Sequence, residues 1–148
     1  MATDRDTRPE EIHALVADDD QAARFLLATL LRVTDGVSSV VEAVNGLDAV
    51  ELGRSRRLDV ALLDLNMPGL DGIEAALELR SLQPGLRIAL RSSAPEVLRR
   101  RGAGLGLPLF DKVDLDGLLG WVQRQAGAGR MAAVPAAPCA ASAAGGGR

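Results

Sequence analysis

Five short apolar runs, each closing on polar or charged residues and each followed by a stretch with helical spacing, constrain this chain more than anything else in it. The runs lie at residues 12–17, 37–44, 58–63, 86–90 and 109–110. Between the first two, Ala23, Leu26, Leu27, Leu30, Leu31 and Val33 recur at the spacing of one helix face. Asp20 stands where that helix needs an N-cap. Further helical stretches are expected at 47–52, 71–81, 96–101 and 114–125, with Asp71 and Asp114 as caps and Pro95 in a first turn. In the 71–81 helix, Ile73, Leu77 and Leu79 are expected to face inward and Glu74, Glu78 and Arg80 outward. The 58–63 run is interrupted only by Asp59 and reads as a buried central strand. Strand and helix alternating five times imply an α/β fold, a doubly wound parallel sheet with helices on both faces.

In a parallel sheet every strand ends on the same edge, so residues distant in sequence meet there. Asp18 and Asp19 follow the first strand, Asp64 the third, Ser92 and Ser93 the fourth, and Lys112 the fifth. Ligands bind in doubly wound sheets at that edge, where the strand order reverses. Two like charges about 4 Å apart repel by roughly 4 kcal/mol at an effective dielectric near 20. A cluster of three carboxylates therefore calls for a cation or for protonation. Hard oxygen ligands suit Mg²⁺ better than zinc or copper. A divalent ion, a lysine and a hydroxyl together can hold a phosphoryl group. A carboxylate can itself be the nucleophile that accepts it, and Asp64 is the candidate because it ends the central, most apolar strand.

The stretches LVADDD (15–20), LLDLNMPGLDG (62–72), LRSSA (90–94) and FDKVD (110–114) resemble the signature blocks of response-regulator receiver domains. The resemblance covers residues 11–126. It implies a flavodoxin/CheY-like sheet of order 2-1-3-4-5 with five helices. It also implies that Asp64 is the phosphoacceptor, that Asp18 and Asp19 hold Mg²⁺, and that Asn66 offers the metal a backbone carbonyl. Ser92 would be the hydroxyl that turns toward the phosphoryl oxygens, with Ser93 its rival by a one-residue slip, and Lys112 would pair with the phosphate. The donor would be a histidine kinase or a phosphotransfer protein. The chain departs from the family pattern at three residues. Arg91 stands where an apolar residue is usual, Leu109 where an aromatic is common, and Val113 where a proline usually brings a cis peptide. The helix after the fourth strand is also short and glycine-rich. These features lie on the output side and bear on switching more than on phosphorylation.

The rest of the sequence bounds the alternatives. Of 17 basic residues only Lys112 is a lysine. A net charge of -3 gives no reason to expect direct nucleic-acid binding. No apolar run is long enough to span a bilayer, so no membrane role and a cytoplasmic location are expected. The one cysteine, Cys139, excludes an internal disulfide. Residues 1–10 read as a polar lead and 127–148 as an Ala/Gly/Pro-rich disordered tail, with no output domain following. A separate protein is then expected to read a shape change on the fourth helix, fifth strand and fifth helix. A homodimer is left open. An aspartyl-phosphate hydrolase is disfavoured, because Asn66 stands where such enzymes place a second aspartate. A receiver-like interaction module that works without phosphorylation is the main alternative. The Arg99-Arg100-Arg101 run reads as a solvated helix face, His13 as a structural or edge residue, and Trp121 as packing for the last helix.

Overall fold

The strand Val60–Asp64 (β3) is buried at every position, and the sheet is built outward from it. In the computed structural model, residues 11–101 and 104–131 are described. β1 (Ile12–Ala17) flanks β3 on one side and β4 (Arg87–Ser92) on the other, and β2 (Val37–Ala43) and β5 (Leu109–Asp111) form the edges. All pairings are parallel and the order is β2-β1-β3-β4-β5. This is the doubly wound arrangement expected from the alternation of the sequence.

Five helices alternate with the strands: α1 (Gln21–Arg32), α2 (Gly46–Ser55), α3 (Gly72–Leu82), α4 (Pro95–Arg101) and α5 (Leu115–Met131). The alternating side chains of the central strands point to two cores. On one face Val16, Val60, Leu62 and Ala89 pack with Leu27 and Leu31 of α1 and with Leu118, Val122 and Ala126 of α5. On the other, Leu15, Ala61, Leu63, Ile88 and Leu90 pack with Val50 of α2 and with Ile73, Ala76 and Leu79 of α3. Each leucine removed completely from water contributes about 2 kcal/mol, so these layers supply most of the driving force. Aromatic packing is confined to Phe110 and Trp121, whose rings are tilted with centroids 6.3 Å apart, among the described residues.

The caps match the sequence. Asp20 accepts a hydrogen bond from the Ala22 N–H at the start of α1. Asp71 and Glu74 form a reciprocal capping box at the start of α3, which fixes the chain just beyond the β3 turn. His13 is structural: its N–H donates to Asp59, and its ring Nδ1 lies 2.7 Å from Ser39 Oγ across β1 and β2.

Some expectations are corrected. Leu77 points outward and is 44% exposed. The inner face of α3 is carried instead by Ile73, Ala75, Ala76 and Leu79, because small alanines allow the helix to lie close to the sheet. α2 extends to Ser55, beyond the expected stop near Gly53. α5 continues to Met131, five residues into the stretch read as a disordered tail, with Ala126 buried just before. The polar lead at 1–10 and the remainder of the tail, 132–148, lie outside the described residues. No helix among the described residues is long and apolar enough to cross a membrane.

Candidate functional site

The carboxyl ends of β1 and β3 are neighbours in the sheet, with Ala17 level with Leu63. That register puts Asp18 and Asp64 side by side. Both are buried, while Asp19 is exposed at the rim. The three offer carboxylate oxygens that all lie within 4.8 Å of one another. Lys112, in the loop after β5, reaches over β4 to them. Its Nζ is 3.1 Å from Asp18 Oδ2 and 3.4 Å from Asp64 Oδ2. The loop holding Lys112 is tied to β4 by the hydrogen bond from its N–H to the Ser92 carbonyl. Among the six candidate site residues, the fold thus brings Asp18, Asp19, Asp64 and Lys112 together.

Asp18 is fixed from two sides. Its Oδ1 accepts the Asp20 N–H at 2.9 Å. Its carbonyl accepts from the Arg24 guanidinium at 2.9 Å, which also pairs with Glu42. Asp64 is held by backbone packing. The Leu65 N–H donates to the Arg91 carbonyl, and the Gly72 N–H donates to the Leu65 carbonyl. A Cβ on residue 72 would run into the Asp64 carbonyl, so the first turn of α3 can approach β3 this closely only with glycine. Gly69, with φ of 78°, takes the left-handed step that turns the chain after Met67-Pro68.

Burial pushes the Asp64 carboxyl up to about 6, and the Asp18 charge pushes the same way, while Lys112 and Arg91 oppose both. At neutral pH the group is still mostly ionised.

Ser92 and Asn66 stand near the acids without touching them among the hydrogen bonds described. Ser92 is fully buried at the end of β4, and its Oγ accepts the Ala94 N–H at 2.9 Å. Ser93 is exposed, so burial separates the two serines. Asn66 lies exposed in the turn after β3.

Arg91 is a member of the site that was read in the sequence only as an anomaly of β4. It pairs with Asp64 in the β3–β4 register. Its guanidinium is buried, 3.6 Å from Asp18 Oδ2, and donates a long 3.5 Å bond to the Lys112 carbonyl. Burial pushes its pKa down from the ordinary arginine value, and Asp18 and Asp64 counter that shift. One signal could have found it: a charged residue immediately before the strand-end serine, level with a strand-end aspartate. Val113, by contrast, is exposed, and no cis peptide occurs among the described residues.

α4 is linked to the same edge. Arg101 pairs with Asp71 at 2.6 Å, and Arg80 donates to the Leu105 carbonyl at 3.1 Å. The Arg99-Arg100-Arg101 run is exposed, as expected of a solvated face, apart from that one pairing.

Residues 14–107 match the family model described as the response regulator receiver domain. The chain is 37% identical over 89 residues to the transcriptional regulatory protein NarL of Mycobacterium tuberculosis, covering 60% of this chain and 41% of NarL. It is 34% identical over 113 residues to the sensor protein EvgS of Escherichia coli, covering 74% of this chain and 9% of EvgS. The chain therefore spans well under half the length of these relatives. Among solved structures, the signal receiver domain of NarL from Mycobacterium tuberculosis superposes with a TM-score of 0.72 at 30% identity, covering 80% of this chain and 98% of that one. The response regulator TrrA of Thermotoga maritima, solved in complex with Mg²⁺-BeF, superposes with a TM-score of 0.67 at 28% identity, covering 77% and 98%. By its sheet order, its strand-end acids and this match over most of its described length, the chain belongs to the response regulator receiver domain family.

Proposed function

We propose that this domain, taken as residues 11–126, is the phosphoacceptor of a two-component or phosphorelay system, with Asp64 as the acceptor. The observation that carries the reading is the placement of Lys112 Nζ between the buried carboxylates of Asp18 and Asp64. A carboxylate oxygen of Asp64 attacks phosphorus, the bond from phosphorus to the donor nitrogen breaks, and the donor's electron pair leaves with its imidazole. The donor is a histidine kinase or a phosphotransfer protein. Lys112, already at hand, neutralises the oxygens that arrive. Ser92 exchanges its bond to the Ala94 N–H for one to a phosphoryl oxygen, and that exchange alters the start of α4.

The donor set fits Mg²⁺. Three carboxylates converge, and Asp18 Oδ2 is buried without a hydrogen bond. Asp18, Asp19, Asp64 and the Asn66 carbonyl would hold the ion. Bound there, Mg²⁺ would offset the repulsion between the carboxylates and the incoming phosphate. Phosphorylation adds roughly -1.5 to -2 of charge at Asp64. The response is passed to a partner protein through α4, β5 and α5.

The second reading is an interaction module that works without phosphorylation. Arg91 favours it, since it already supplies the acids with a buried cation. Incubation with a small-molecule phosphodonor, with and without Mg²⁺, separates the two by intact mass. A Mg²⁺-dependent, acid-stable, base-labile adduct that is lost in Asp64→Asn supports phosphorylation. Folded protein that neither labels nor binds Mg²⁺ supports the alternative.

A further inference from the structure

β4 is apolar from Ile88 to Leu90 and then places Arg91 level with Asp64. The Arg91 side chain is 4% exposed. Its Nε and Nη1 have no hydrogen-bond partner, and its Nη2 makes only the long bond to the Lys112 carbonyl. A guanidinium does not lose its proton in a protein. Taking it out of water is costly, and only nearby negative charge or hydrogen bonds offset the cost. Hydrogen bonds are nearly absent here, so charge must do it. The charges within reach are those of Asp18, 3.6 Å away, and Asp64, its partner in register.

Asp18 Oδ2 thus lies between two cations, Lys112 at 3.1 Å and Arg91 at 3.6 Å. Lys112 is partly exposed and sits on a loop. Arg91 is anchored on β4, beside the central strand, and its side chain is buried next to the acids. Its charge is thus part of the site as the chain folds.

We infer that Arg91 is a resident counter-cation of the acidic site: it supplies part of the positive charge that a divalent ion would otherwise bring, stabilises the site when no metal is bound, and weakens Mg²⁺ binding. This rests on the reading of Asp18, Asp19 and Asp64 as the Mg²⁺ site. Arg91 is a positioning residue in this role, acting on the acids through its charge.

The test is calorimetric titration of MgCl₂ into the whole chain, as wild type, Arg91→Met and Arg91→Lys, with thermal melts in EDTA and in Mg²⁺. Loss of one positive charge this close should tighten Mg²⁺ binding by about tenfold or more in Arg91→Met. Arg91→Lys keeps the charge and should stay near wild type. In EDTA, Arg91→Met should melt below wild type, and Mg²⁺ should raise its Tm by more. Should Arg91→Met not fold without metal, Arg91→Gln removes the charge while keeping hydrogen-bonding capacity and is read the same way. Equal Mg²⁺ affinity in wild type and a folded neutral variant overturns the role of Arg91 and leaves the phosphoacceptor reading standing. No Mg²⁺ binding in either overturns both.

Discussion

Lys112 Nζ is closer to Asp18, at 3.1 Å, than to the candidate acceptor Asp64, at 3.4 Å. The lysine is shared, and a phosphoryl group on Asp64 would draw it fully to that side. Lys112→Ala leaves two buried carboxylates with Arg91 as their main counter-charge. Because Lys112 is partly exposed, water makes up some of the loss, and a destabilisation of about 1–3 kcal/mol at pH 7 is expected by urea unfolding. Lys112→Arg should recover most of it.

The Asp64 carboxyl gives a pH signature. Burial raises it from 3.8 to about 6, so the folded state holds a proton there that the unfolded chain has already lost. The stabilisation from that proton is full below 3.8 and is lost as pH rises through about 6. Without divalent ions, Asp64→Asn should match wild type near pH 4 and become more stable above pH 6. The gain should be on the order of 1–2 kcal/mol after allowing for solvent screening at the site. Urea melts of both proteins across this range check it, and a gap that does not grow with pH contradicts it.

The first turn of α3 should tolerate little change. Gly72→Ala presses a methyl group against the Asp64 carbonyl. Overpacking of this kind costs about 1–3 kcal/mol. A lower midpoint in chemical denaturation is expected, together with slower phosphorylation because the acceptor is displaced.

Asp71 serves two neighbours, the N–H of Glu74 and the guanidinium of Arg101. Burial alone would raise its carboxyl, but the bonds from Glu74 and Arg101 outweigh that and hold it below the usual carboxylate value. Asp71→Ala should cost about 1 kcal/mol through the lost cap. Arg101→Ala should cost less than about 1 kcal/mol, since the arginine side of the pair is exposed to water. If the two changes cost the same in thermal melts, the ion pair and not the cap is the larger contribution.

The fold was legible because period and punctuation agree in this chain. β3 reads as a buried strand, and strand-end acids in a parallel sheet have only one edge to share. Leu77 misled because residue type is a poor guide to helix face when the buried positions are filled by alanines such as Ala75 and Ala76. The end of α5 misled for a related reason: an Ala/Gly composition looks unstructured until a residue such as Ala126 is seen to be buried. At the site, the acids and Lys112 could be placed from strand ends alone. Arg91 stood out in the sequence only as a charge where an apolar residue is usual; that it lies level with Asp64 is fixed by the β3–β4 register, which strand order alone does not give. Ser92 and Ser93, alike in sequence, differ in the fold, which buries the first and exposes the second.

Where the phosphoryl group lands is the most direct question to ask of this molecule. After treatment with a phosphodonor and Mg²⁺, reduction with borohydride converts an aspartyl phosphate to homoserine, and trypsin releases the stretch 58–80 that holds Asp64. Sequencing that peptide by mass spectrometry should find homoserine at position 64, dependent on Mg²⁺ and absent without phosphodonor. Homoserine at position 71 of that peptide, at position 18 or 19 in the tryptic peptide ending at Arg24, or at no position in folded protein, would contradict the assignment of Asp64 as the phosphoacceptor.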